Sequence, residues 1–280
     1  MRYRELNQRF PEVNILLLLG VLELAGVAAL LAVQHFATDA QGRLGGGGLL
    51  AILLFQAAAC AVAMSWARVA DGWTLQQFRM ERPVLPPLML GAVAGAFVSA
   101  GMLGYHLLVR GRDLQTALHG ESLSGVLVWA LPAWLLLAPL LSLKDELLFR
   151  GYIFVRLGRA RSALYGLGAS SLLFAVIHSV EQPPTFWQFC GLFATGLFAA
   201  WLFHETHSLW APLGARALVL MGDMLVSGNP QLGALWKYSV EPEGTMGDAI
   251  VYIVLLGLSG VLIKLTRWGS EATPARDVGP

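Results

Sequence analysis

Charged residues are scarce in this chain, and the scarcity narrows what it can be. Only 13% of positions are Asp, Glu, Lys or Arg, against 56% hydrophobic, and the mean hydropathy is +0.62. That is too little polar surface to cover a soluble globule, so an integral membrane protein is expected. The formal net charge of +1 supplies no basic field, which argues against nucleic acid as a partner. Cysteine is nearly absent. Cys60 and Cys190 each lie in an apolar stretch without CxxC or Cys/His spacing, which argues against a disulfide framework or a zinc site. A lipidation signal is missing as well: the second residue is Arg and the last four are DVGP. The first twelve residues carry Arg2, Arg4 and Arg9 ahead of a long apolar run with no small-residue cleavage site, the pattern of an uncleaved signal anchor.

What is present is a series of apolar stretches near the ~20 residues needed to cross a bilayer. They fall at 13–34, 47–67, 87–109, 125–156, 163–179, 187–203, 208–226 and 247–266, and predict an all-α, polytopic transmembrane bundle of about eight spans. The GRLGGGG run at 42–48 reads as a flexible connector; no strand precedes it and no GK[ST] follows, so it is not a phosphate loop. The segment Arg68 to Pro87, with Trp73, Phe78, Arg79 and Arg82, reads as an interfacial connection and anchor. With the N-terminus in the cytoplasm, that side holds Arg2, Arg4, Arg9, Arg68, Arg79, Arg82, Arg156, Arg159, Arg161, Lys264, Arg267 and Arg276. The opposite side holds only Arg43, Arg110, Arg112 and Lys237. This bias places both termini in the cytoplasm of a multi-pass protein, expected in a bacterial inner (plasma) membrane. Three regions are expected: N-terminal helices and connectors over 1–124, a helical core over 125–226 that carries a charged motif at 144–154, and a last helix with a cytoplasmic tail over 227–280.

The exception to the apolar pattern is Lys144 to Phe154, KDELLFRGYIF, at the end of the fourth span. Lys144, Asp145, Glu146 and Arg150 sit within or beside the hydrocarbon layer, and intramembrane charge marks a functional site by default. Glu146 and Arg150 are i,i+4 neighbours that can neutralise each other, whereas Asp145 points about 100° away and is free to face another partner. The span is long, roughly 48 Å at 1.5 Å per residue, with Pro132 and Pro139 as the natural places for a bend. An antiparallel hairpin about the turn near Arg161 would bring His178 to the depth of Asp145. Phe174 lies one turn before His178 on the same face and can pack beneath the imidazole. His204, Glu205, Thr206 and His207 fall in a turn, and their spacing differs from that of a helical zinc motif. Arg216, inside the seventh span, needs a carboxylate partner or a water-filled cavity, and Asp145, Glu146 and Asp223 are the candidate partners.

These residues resemble the CAAX-protease and bacteriocin-processing family (CPBP, or ABI) of intramembrane glutamic-type proteases. The family's EExxxR followed by Gly and an aromatic-rich run is matched by Asp145-Glu146-Leu-Leu-Phe-Arg150-Gly151-Tyr152, and its FxxxH by Phe174 to His178. A third motif, typically SLWxPIxxHxxxN, is matched from Ser208 through Leu220. The resemblance covers about 125–225. It implies a catalytic set of Asp145, Glu146, His178 and Arg216, in which Asp145 and His178 activate water and Arg216 lies where the second His stabilises the oxyanion, with Arg150 and Phe174 supporting them. Three positions depart from the pattern: Asp145 stands for Glu, Arg216 for His and Leu220 for Asn.

The expected activity is therefore endopeptidase cleavage of a membrane-anchored protein or peptide within the lipid bilayer. The alternative is a catalytically silent relative acting as scaffold, partner or immunity protein. No cofactor is implied, and participation of a metal is left open.

Overall fold

The computed structural model describes residues 10–36, 46–80, 83–116, 123–181, 184–226, 236–238 and 244–271. The N-terminal basic tail, the connector at 42–45, Arg43, Arg82 and Arg276 lie outside these residues. Within them the chain is helical apart from one small ladder. The helices are α1 (Pro11–Phe36), α2 (Gly46–Asp71), α3 (Leu85–Gly104), α4 (Leu123–Glu146), α5 (Val155–Ala160), α6 (Ala163–Glu181), α7 (Phe186–Thr206), α8 (Trp210–Val226) and α9 (Met246–Glu271). Because α4 runs unbroken through wider π-helical turns into α5, eight rods stand where eight spans are expected. Six of them, α1, α2, α3, α6, α7 and α9, are long and apolar enough by themselves to cross a bilayer. The site side chains come mainly from α4, α6 and α8.

Local chemistry explains the boundaries. Pro86 and Pro87 sit in the first turn of α3, where a missing N–H costs nothing. Thr185 caps α7, its hydroxyl accepting from the Gln188 N–H while the Gln188 side chain accepts from the Thr185 N–H. Ser208 accepts the Trp210 N–H at the start of α8. The change of pitch in the motif helix falls at Leu147–Phe154, downstream of both Pro132 and Pro139. All eight residues of this π segment are buried. Such wide turns re-aim side chains and recur at functional sites.

The reading of Trp73 and Phe78 as interfacial anchors needs correction. Helix α2 continues to Asp71, and Trp73 and Phe78 are core residues, 8% and 2% exposed. They pack edge-on to each other, Trp73 packs edge-on to Tyr152, and the Phe78 ring covers Gly151 so closely that a Cβ there would meet it at 2.8 Å. The segment is a strap under the motif helix. The Tyr152 hydroxyl donates to Asp71 at 2.8 Å and Arg156 also pairs with Asp71, tying α2 to the π segment and α5.

Helix α8 is held by backbone contact with α3. A Cβ on Gly91 would lie 1.8 Å from the Ala211 carbonyl oxygen, one on Gly95 2.2 Å from that of Ala215, and one on Gly214 2.2 Å from that of Leu88. Small residues permit this approach, which dispersion and close packing reward in a membrane. Gly91→Leu forces α8 away, together with Arg216. We expect it to cost about 3 kcal/mol, read as a lower melting temperature in detergent; an unchanged melt would refute the contact. Strands β1 (Leu114–Thr116) and β2 (Trp236–Tyr238) pair antiparallel, Leu114 opposite Tyr238.

Candidate active site

Two linked polar networks are built on the motif helix. In the first, Glu146 and Arg150 are both buried, and Arg150 Nη1 donates to Glu146 Oε1 at 3.1 Å. The i,i+4 spacing places the groups side by side despite the wider turns beginning at Leu147. Arg150 Nη2 donates to the Gly196 carbonyl of α7 at 3.1 Å. That partner could not be read from sequence, because a backbone carbonyl carries no residue signature. Glycine at 196 allows the approach of α7 to α6, since a Cβ there would meet Ser171 at 2.9 Å.

In the second network, Asp145, His178 and Arg216 converge. Arg216 Nη2 donates to Asp145 Oδ2 at 2.6 Å and approaches His178 Nε2 at 3.0 Å. His178 Nε2 lies 3.3 Å from Asp145 Oδ2. His178 Nδ1 is 2.9 Å from the Phe174 carbonyl oxygen, which can only accept, so Nδ1 carries a proton. In the neutral ring Nε2 then holds the lone pair and accepts from Arg216. Lys144 Nζ completes the set, 3.4 Å from Asp145 Oδ1. Asp145 thus faces partners other than Arg150, as its position on the helix suggested, and is the most heavily partnered carboxylate of the site.

Phe174 is the common platform. It is fully buried, its ring lies 4.1 Å from that of His178, and the guanidinium carbons of Arg216 and Arg150 stand 4.4 and 4.8 Å from its centroid. Two cations beside one desolvated ring gain cation–π attraction that offsets part of their burial cost. Phe149 packs edge-on against Phe174 and fixes its tilt. Side-chain exposure is 4% for Asp145, 10% for Arg216 and 25% for His178, so access to the site is at the imidazole. Within this shell, Glu146 Oε2, Arg150 Nε and Arg216 Nε have no hydrogen-bond partner among the described residues.

Other candidates lie elsewhere. Asp223 forms no hydrogen bond or ion pair with Arg216, which has taken Asp145 instead. Leu220, at the position of the family's Asn, belongs to an apolar cluster with Trp134, Leu137 and Met224 and is not part of the polar network. His207 closes α7 in a left-handed conformation, φ 51°, with Nδ1 2.8 Å from Arg79 Nη1; His204 faces Phe154. Among the described residues no three His, Cys, Asp or Glu side chains gather as metal ligands.

Residues 127–221 match the family model described as type II CAAX prenyl endopeptidase Rce1-like. That stretch contains Asp145, Glu146, Arg150, Phe174, His178 and Arg216, so the motif resemblance and the family model converge on one segment. No curated protein and no solved structure matches the chain.

Proposed function

We propose that this integral membrane protein, whose core segment matches a CAAX prenyl endopeptidase family, hydrolyses a peptide bond in a membrane-anchored protein or peptide, with Asp145, His178 and Arg216 doing the chemistry. The observation that carries the reading is that one Arg216 nitrogen donates to both the carboxylate and the lone-pair nitrogen of the imidazole. In that resting arrangement Arg216 holds base and orienting acid together. A substrate carbonyl oxygen is a competing acceptor for the guanidinium. When it draws Arg216 from His178 Nε2, a water can take that place, and the imidazole becomes its proton acceptor.

The water oxygen then bonds to the carbonyl carbon while its proton passes to Nε2. The carbonyl electron pair moves onto oxygen, where Arg216 stabilises it by a charge-assisted hydrogen bond. Asp145 stabilises the imidazolium. Collapse of the intermediate breaks the C–N bond, and Nε2 returns its proton to the leaving amine, giving a carboxylic acid and an amine. Glu146 and Arg150 hold the motif helix against α7, and Phe174 aims the imidazole.

The test is cleavage of a library of peptides, each carrying an apolar membrane anchor, by the purified protein in lipid nanodiscs, with Asp145→Ala as control. We expect mass spectrometry to find products that are lost in the variant. A library left intact by the wild-type protein would overturn the peptidase reading. The silent-relative reading draws on the same 2.6 Å pair, which would then be a static lock.

A further inference from the structure

Asp223 is an intramembrane charge that the proposed chemistry does not use. It lies seven residues beyond Arg216 on α8, on the same face and roughly 10 Å further along the axis. Its neighbours Gly222 and Met224 face elsewhere, the first against Ser99 and the second into the apolar cluster. The Asp223 side chain is exposed and makes no hydrogen bond or ion pair with any described residue. A carboxylate at that depth requires a cation or a water-filled cavity.

One side chain of α9 stands near both it and Arg216. Tyr252 of α9 lies within electrostatic reach of both Asp223 and Arg216, and its hydroxyl is 3.1 Å from Thr195 Oγ1 of α7. Thr195 adjoins Gly196, whose carbonyl accepts from Arg150. Burial, and then the nearby Asp223 carboxylate, push the Tyr238 phenol of β2 up from its ordinary range. The basic groups nearby are engaged: Arg216 with Asp145, and Arg112 with His106 Nδ1 at 2.9 Å. Among the described residues Asp223 therefore has no hydrogen-bonded or ion-paired counter-charge.

We propose that Asp223 forms the anionic wall of a substrate subsite that receives a Lys or Arg side chain of the peptide. This rests on the peptidase reading for its substrate. Roughly 10 Å of extended chain at about 3.3 Å per residue corresponds to three residues, so the cationic residue lies about three positions from the scissile bond, with Tyr252 and Thr195 between.

The experiment measures binding separately from cleavage. Dye-labelled peptides with an apolar anchor, differing only in having lysine, norleucine or glutamate at each position in turn, are titrated with the detergent-solubilised protein and followed by fluorescence anisotropy. We expect the lysine peptide to bind about tenfold more tightly than its norleucine counterpart at one position, as a charge-assisted contact implies. The preference should vanish in Asp223→Asn and turn toward glutamate in Asp223→Lys. The Asn variant is isosteric, so it decides the matter if the Lys variant does not fold. Absence of a lysine preference in the wild type, or its survival in Asp223→Asn, overturns the subsite. Lysine preference without cleavage of any peptide would sink the peptidase reading and leave the subsite standing; cleavage without the preference would do the reverse.

Discussion

Cleavage is expected to fall to background in Asp145→Asn, His178→Gln and Arg216→Leu, with the purified variants still folded. The expected losses differ in origin. His178→Gln removes the proton acceptor, a loss of about 10² to 10⁴ in rate. Arg216→Leu removes the donor at the developing oxyanion, about 10² to 10³. Asp145→Asn keeps the shape but cannot stabilise the imidazolium, and its amide can donate to Nε2 and occupy the lone pair. Asp145→Glu is expected to retain activity, because it keeps the charge and supplies the residue that the resembling family has at this position. These are losses of transition-state interactions, so KM should move less than kcat.

A silent relative gives a different pattern in the same assay. Neither the wild type nor any variant would cleave, while the neutralised variants lose stability on either reading, since a buried pair broken on one side leaves an uncompensated charge costing about 3 to 5 kcal/mol. Cleavage by the wild type separates the two outcomes, and melting curves run beside it show whether a variant that fails to cleave is still folded at the assay temperature. Cleavage by Asp145→Asn at the wild-type rate would remove Asp145 from the mechanism and direct attention to Glu146, whose Oε2 has no hydrogen-bond partner among the described residues.

The second large effect concerns the supporting pair. Glu146→Leu and Arg150→Met should each destabilise the protein by about 3 to 5 kcal/mol, because both side chains are at most 1% exposed and each would leave the other charge buried alone. Arg150→Met also strands the Gly196 carbonyl, so it should be the worse of the two. The double variant should recover much of the loss, since apolar residues of similar size can replace a buried pair. Unfolding in detergent reads all three. Single variants that melt with the wild type would mean that water reaches the pair and that its burial is not what holds the helix.

What could be read along the chain was what local geometry controls. Runs of about twenty apolar residues marked the spans, the i,i+4 spacing paired Glu146 with Arg150 and set Phe174 beneath His178, and the depth argument brought His178 to Asp145. Each follows from the rise and twist of a single helix or hairpin, which the residues in it dictate. The partner of Arg216 did not follow. Asp145, Glu146 and Asp223 were equal candidates, and the choice depended on how α8 is rotated and how near it stands to α4. Close approach of glycines on α3 and α8 sets that rotation. The burial of Trp73 and Phe78 was likewise hidden, because a short polar-flanked segment has the same composition whether it lies at the interface or straps the core. The sequence by itself determined the membrane class, the helices and the charged motif. Only the tertiary structure decided which charge meets which, because pairing between separate helices is set by backbone packing that no local spacing records.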